Sequence, residues 1–320
     1  MDVPMSTMVL ATDGSDGARL AARAAADLSK ATGAQLHVAH AWRFVPRRAG
    51  YPAMTWTEHA HLHEREARRV LDAEASSIEE ALGVVGEPHL LNNPPVDAIL
   101  DLCEELEPDL LVVGGRGLGP LRRLLVGSVC EGVAHHARCP VLVVRGGEEA
   151  WPPQRVVVGD DGSDGARRAG ELATRLGGLL GAGVTLVRAR RNPPEPTGSW
   201  SAEDRRKLGE VTSREEDSLN ERAKALQEVS GSRPRTRVVE ADPALALLTV
   251  AEERDDRKTL LAVGSRGLGF AKRGRLGGVC ANVLRVDRGP VLICPRGVPQ
   301  GNAVRDAPWA ASATRWRPGG

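Results

Sequence analysis

The chain contains its own copy, and this repetition constrains the fold more than any other feature. Met8–Leu28, MVLATDGSDGARLAARAAADL, is answered by Val156–Leu176, VVVGDDGSDGARRAGELATRL, which sets Asp161 148 residues after Asp13. VVGGRGLG at Val112–Gly119 returns as AVGSRGLG at Ala262–Gly269, and CPVLVV at Cys139–Val144 as GPVLIC at Gly289–Cys294, each 150 residues on. A period this long is a whole domain rather than one turn of a solenoid. The expected organisation is one domain over 1–148, a second over 153–297, and a disordered tail over 298–320. The junction falls near Gly146–Gln154, where GGEEAWPPQ combines Gly, charge and Pro, and the tail lacks any apolar period.

Within each unit, short apolar runs alternate with helical patterns. Strands are expected at Met8–Ala11, Gln35–His40, Val84–Leu91, Leu110–Gly114 and Val141–Val144, with helices at Gly17–Thr32, Glu58–Leu82, Val96–Glu107 and Ser128–Ala137. Strands in the second unit are expected at Val156–Val158, Val184–Val187, Arg235–Glu240, Leu260–Gly264 and Val291–Cys294. Apolar strands separated by helices make an α/β fold with a parallel sheet covered on both faces. Arg43–Thr57 and Arg190–Ser201 stand out as long excursions after the second strand of each unit, and carry Trp56 and Trp200.

Composition removes several classes of function. Lys plus Arg is 43 and Asp plus Glu 42, so the totals show no excess of positive charge for nucleic acid or anionic lipid. Aromatic residues are 3%, too few for a base-stacking platform. No apolar run is long enough to span a membrane and the N-terminus lacks a signal-peptide pattern. Cys103, Cys130, Cys139, Cys280 and Cys294 are odd in number and lack zinc-finger spacing, so reduced core thiols and a cytoplasmic location are expected.

Two constellations carry chemistry. The first is Gly114-Gly115-Arg116-Gly117, nine residues, then Gly127-Ser128 at a helix start. Glycines let backbone amides approach an anion, and a helix N-terminus adds donors and a positive dipole end. The bland alternative is an ordinary turn with Ser128 capping its helix. The second is Asp13-Gly14-Ser15 and its copy Asp161-Gly162-Ser163, where a carboxylate can accept from a ribose hydroxyl or an adenine amino group. Its alternative is a helix-entry turn, since Asp and Ser favour both Asx turns and N-caps. Both constellations fall at the carboxyl ends of strands, where open α/β sheets bind ligands.

Rival motifs fail. Gly269–Leu276, GFAKRGRL, has Arg275 and Leu276 where a P-loop needs Lys and a hydroxyl residue. The dinucleotide fingerprint belongs after the first strand, where this chain has TDGSDGAR. No G-x-S-x-G elbow is present, and the second half contains no histidine.

The spacing G-x2-G-x9-G-[ST] over Gly114–Ser128, together with Asp13 and CPVLVV, resembles the universal stress protein family in its ATP-binding branch. The resemblance implies two tandem Rossmann-like domains of the adenine nucleotide alpha hydrolase type, each a five-stranded parallel sheet of order 3-2-1-4-5. It also implies that the last strands pair, so that the chain is a pseudo-dimer fused in one polypeptide. By the same resemblance Asp13 contacts ribose and the backbone around Val38 reads adenine. Gly114, Arg116, Gly117, Gly127 and Ser128 hold the phosphates, with Val129 close by. The corresponding positions in the second unit are Asp161, Leu186, Gly264, Arg266, Gly267, Gly277 and Gly278. Here the second unit departs from the motif, because Gly278 replaces the hydroxyl residue. One hydrogen bond to a charged group is worth about 1.5–3 kcal/mol, roughly ten- to hundredfold in affinity. Lys272, Arg273 and Arg275 add charge to the second loop, but screened surface charge compensates weakly. The first site is therefore expected to bind ATP well, with or without Mg2+, and the second more weakly.

The expected function is a cytoplasmic ATP-binding regulatory module of the stress response, without catalysis. An unidentified protein partner and further homodimerisation are left open. The alternatives are an adenylating or ATP-hydrolysing enzyme of a related Rossmann-like class, and a dimeric scaffold without nucleotide. Adenylating relatives carry H-x-G-H or S-G-G-x-D-[ST] loops at the first strand, and TDGSDGA is neither. His59, His61 and His63 share one expected helix but lack H-E-x-x-H spacing, and His135 and His136 sit near a helix C-terminus. Both sets are expected to be surface residues rather than metal ligands. Glu203–Lys224 is expected to be an exposed helix with i,i+4 ion pairs.

Overall fold

The structure is a computed structural model that describes residues 5–43, 53–115, 126–190, 201–253, 258–265 and 276–295, apart from the side chains of 53–59, 205, 208, 229 and 230. In the first half β1 (Thr7–Ala11), α1 (Asp16–Thr32), β2 (Gln35–Trp42), α2 (Ala53–Leu82), β3 (Gly86–Asn92), α3 (Pro95–Leu106), β4 (Leu110–Gly114), α4 (Ser128–His136) and β5 (Val141–Val144) follow one another. The second half repeats this order as β6 (Arg155–Gly159), α5 (Asp164–Leu180), β7 (Gly183–Arg190), α6 (Ala202–Ser230), β8 (Arg235–Glu240), α7 (Pro243–Glu252), β9 (Thr259–Gly264), α8 (Gly278–Val286) and β10 (Val291–Cys294). Helix α2 begins five residues earlier than the periodicity indicates, inside the excursion that follows β2.

The ten strands form one sheet of order β3-β2-β1-β4-β5-β10-β9-β6-β7-β8. Each half is parallel with the expected 3-2-1-4-5 order, and the seam between halves is the antiparallel pair β5–β10, with Leu142 opposite Leu292. All eight residues of these two strands are buried. An isolated apolar edge of this kind would template aggregation, and mutual pairing removes it.

Alternation along the strands sends side chains to two cores. Met8 and Leu10 face α1 and α2, whereas Val9 faces α3 and α4. All three are fully buried, which explains why β1 lacks a polar side. The first core runs unbroken through Leu142 and Val144 to Leu292 and Cys294, so the halves share one interior. Helix α1 closes on the sheet through small residues: Ala21, Ala24, Ala25 and Ala26 are fully buried. It starts at the Ser15 cap and stops at Gly33, whose φ of 75° is the left-handed conformation that ends helices.

The junction is not a loose connector. Trp151 is 2% exposed, packs in the first core, and donates from its indole N–H to Asp27 at 2.9 Å. Helix α6 carries the expected surface pairs, such as Lys207–Glu203, yet Leu219, Ala223 and Leu226 are buried beneath it. All five cysteines are buried and unbridged. Burial pushes the thiols of Cys130, Cys280 and Cys294 up to about 12.

Candidate functional site

In this strand order the connection from β1 leads to one face of the sheet and the connection from β4 to the other. The carboxyl ends of β1 and β4 therefore border the crevice at the switch in strand order. The two constellations meet there. Gly114 ends β4 where α1 begins, and a Cβ on it would lie 2.8 Å from the carbonyl carbon and oxygen of Gly17. Gly264 is held in the same way against Gly165 and Ala166. These glycines are thus required by close backbone packing, a reason separate from anion approach.

The aspartate turns have their local role. Asp13 Oδ1 accepts the Ser15 N–H at 3.1 Å, Gly14 has φ 72°, and Ser15 Oγ accepts the Ala18 N–H at 3.2 Å. Asp161, Gly162 and Ser163 repeat this, with Ser163 Oγ accepting from Ala166 at 3.2 Å. Ser15 and Ser163 are N-caps.

Ser128 is not. The N-cap of α4 is Gly127, at φ −60° and ψ 141°, and no side chain caps the helix. Ser128 occupies the first helical position and is exposed, followed by the half-buried Val129. The alternative that Ser128 serves its own helix as a cap is thus removed. Gly127 N–H donates to Gly115 O at 3.0 Å, and Gly115 N–H to Val144 O at 2.8 Å, which pins the start of α4 to the end of β4. Gly277 and Ser265 make the same connection in the second half at 2.7 Å. A Cβ on Gly278 would meet nothing within 4 Å, so nothing steric demands glycine there.

Val38 and Leu186 lie deeper. Both are fully buried, Val38 between Leu10 and Pro88 in the sheet, and Leu186 between Val158 and Thr236. Of the remaining site candidates, Arg116, Gly117, Arg266 and Gly267 lie outside the described residues, as do Arg122, Arg123, Lys272, Arg273, Arg275, Trp200 and the tail.

Directly beneath the aspartate turns lies a polar group that the motif search missed. Thr12 Oγ1 accepts the Gly14 N–H at 3.2 Å and donates to Glu74 at 3.1 Å, while His40 Nδ1 donates to Thr12 O at 2.9 Å. In the second half the corresponding residues are Asp160, Arg188 and Arg222. Asp160 is 4% exposed; its Oδ1 accepts from Gly162 N at 2.9 Å and Arg188 at 2.6 Å, and its Oδ2 from Arg222 at 3.1 Å. The signal was available in the repeat, since positions 12, 40 and 74 reach 160, 188 and 222 by the same shift of 148. The turns look alike, but their supports differ in charge.

His61 and His63 are exposed on α2 as expected, while one surface expectation needs adjustment. His135 is half-buried, and its Nδ1 accepts the Leu276 N–H from the other half at 3.2 Å, so it belongs to the seam between halves. No helix among the described residues is long and apolar enough to cross a membrane.

Two fused parallel α/β units joined at their last strands define a tandem Rossmann-like protein. The universal stress protein family model matches residues 5–145 and 153–295, and the chain belongs to that family. It is 38% identical over 143 residues to a universal stress protein of Thermus aquaticus, covering 43% of this chain and 98% of that one. A universal stress protein of Mycobacterium tuberculosis is 32% identical over 233 residues, covering 68% of this chain and 74% of the relative. The solved structure of a universal stress protein from Archaeoglobus fulgidus has the same fold, with a TM-score of 0.63, 24% identity, and coverage of 92% of this chain and 99% of that one.

Proposed function

We propose that this chain is a cytoplasmic ATP-binding regulatory module of the stress response, with the first half as its stronger site and no catalytic role. The observation that carries this reading is Ser128: a hydroxyl at the first position of a helix capped by glycine, not used as the helix's own cap. Such a hydroxyl, with the unpaired amides of the first turn, suits a phosphate oxygen. Asp13, at the end of the adjacent β1, has the polarity for a ribose hydroxyl. In this reading Gly114, Arg116, Gly117, Gly127 and Val129 line the phosphate end, and Mg2+, where bound, would neutralise phosphate charge. The second site, with Asp161, Leu186, Gly264, Arg266, Gly267, Gly277 and Gly278, keeps the backbone donors without the hydroxyl.

Calorimetric titration with ATP tests the assignment. Ser128→Ala should weaken the tighter site about ten- to hundredfold. Asp13→Ala should weaken the tighter site and Asp161→Ala only the looser one. Equal losses from the two Asp variants would overturn the ranking, and unchanged binding in Asp13→Ala and Ser128→Ala would overturn the site. Release of phosphate or pyrophosphate at a sustained rate would make the chain an enzyme instead.

A further inference from the structure

We propose that His37, Glu87 and His89 form a binding site for a divalent first-row transition ion, zinc in the first place. The three lie on β2 and β3, away from the switch crevice and independent of the nucleotide reading. The parallel register sets His37 beside Glu87 and Ala39 beside His89. All three side chains thus share the face of the sheet on which Ala39 packs with Ile99 and Leu102 of α3.

The geometry is that of a ligand set. His37 Nδ1 and His89 Nε2 are 2.9 Å apart, Glu87 Oε2 is 3.5 Å from His37 Nδ1, and Glu87 Oε1 is 3.9 Å from His89 Nε2. Around tetrahedral zinc, with bonds of about 2.0–2.2 Å, neighbouring ligand atoms stand roughly 3.3–3.6 Å apart, so the two rings, in hydrogen-bond contact at 2.9 Å, part by a few tenths of an ångström to admit the ion. It is the one group of three or more such residues with converging ligand atoms among the described residues. Two nitrogens and one carboxylate oxygen, with a position left for water, suit zinc, cobalt or nickel rather than calcium or magnesium.

The surroundings hold the set in place. His37 is buried. Gln35 Nε2 donates to Glu87 Oε2 at 2.9 Å and fixes the carboxylate, as supporting residues do around metal sites. The Glu87 side chain is 52% exposed, which leaves an entry path. On binding, the proton between the two rings gives way to the ion. His37 then carries its proton on Nε2 and His89 on Nδ1, so no oxidation or net proton transfer is required of neutral rings.

The second half supplies an internal contrast. Thr185, Arg235 and Arg237 replace His37, Glu87 and His89 in register. Arg237 donates to both oxygens of Glu253 at 2.6 Å, and Glu253 is the counterpart of Glu105. There a fixed guanidinium supplies the positive charge. In the first half the same corner has imidazoles, and a metal ion would supply it.

Titration of the full chain with zinc chloride, followed by calorimetry, tests the site. We expect one tight equivalent, and at least a roughly hundredfold loss of affinity in His89→Gln, given that supporting residues alone are worth 10–100-fold. Gln35→Ala should lose about tenfold. The His61→Ala/His63→Ala double variant should bind as the native chain does. Cobalt loading should give a visible ligand-field band that His89→Gln abolishes, with circular dichroism checking that the variant is folded. In nitrogen-15 spectra, zinc should shift His37 Nδ1 and His89 Nε2. Absence of zinc binding, binding undisturbed by His89→Gln, or loss confined to the His61/His63 variant would each overturn the proposal.

Discussion

Arg145 Nη1 lies 2.5 Å from the carbonyl oxygen of Leu284, so a guanidinium at the end of β5 closes the last turn of α8 in the other half. Its Nε and Nη2 donate to Gly289 O and Val283 O, and Asp287, almost fully buried, lies 3.8 Å away. The Leu284 carbonyl lies in the last turn of α8, where backbone acceptors lack helical partners, while Val283 O also accepts the Asp287 N–H and Gly289 O belongs to the segment before β10. Arg145→Ala should lower unfolding stability by about 2–4 kcal/mol, because it removes several charge-assisted bonds and leaves Asp287 underpaired. Arg145→Lys should recover little, since an ammonium cannot reproduce the planar fork. A urea midpoint within error of the native chain in both variants would refute this account of the seam.

Asp160 neutralises two guanidinium groups in the interior of the second half. Asp160→Ala should cost about 3–5 kcal/mol, the range for a buried pair stripped of one partner. The triple replacement Asp160→Thr, Arg188→His and Arg222→Glu would reproduce the Thr12–His40–Glu74 arrangement and should regain most of the loss. Denaturation of single and triple variants measures the coupling. Additive losses would show that the three positions do not act together.

Gly114 and Gly278 separate packing from binding. Gly114→Ala drives a methyl group into the Gly17 backbone and should destabilise by about 1–3 kcal/mol, read as a lower thermal midpoint. Gly278→Ser has open space and should leave the midpoint nearly unchanged. If the second half holds ATP as proposed, that serine should tighten its site roughly tenfold or more. The same affinity before and after the change would remove the hydroxyl from the explanation.

The buried thiols give the fold a signature at alkaline pH. Cys130, Cys280 and Cys294 are raised by burial from an ordinary value of 9.0 to about 12. Between these values the unfolded chain has lost the proton and the folded chain keeps it, so stability falls as pH rises. Each cysteine contributes a decline of about 1.4 kcal/mol per pH unit over that window, and none below it. Urea midpoints should drop from pH 8 to pH 10. The Cys280→Ala/Cys294→Ala variant should show a shallower drop; an identical slope would assign the alkaline loss to other groups.

The strands, the helices and the parallel class were legible from apolar runs alternating with helical patterns, whereas strand order and the β5–β10 pairing were legible only through the resemblance to the family. The turns at Asp13 and Asp161 were legible for a local reason, since Asx and cap geometry depends on three or four neighbouring residues. Long-range polar groups were not. Thr12 meets Glu74 across 62 residues, and His37 meets His89 across 52, distances over which no spacing rule operates. Gly114 shows a further limit: its glycine reads as anion approach in the motif, while the packed structure reveals the α1 backbone against it. Trp151 sits in the junction GGEEAWPPQ, whose Gly, charge and Pro carry no sign of anchoring, and the Asp27 contact shows it to be held.

In an assembly of two identical chains every interfacial contact occurs twice, related by the symmetry axis. Placing β5 and β10 in one polypeptide lifts that obligation and makes the union immune to dilution. Arg145 has Pro295 as its counterpart, and His135 has Arg285, so each of their bonds is made once. The seam is consequently polarised: it can be loosened or tightened from one side by a single residue, a handle that an exchangeable homodimer does not possess.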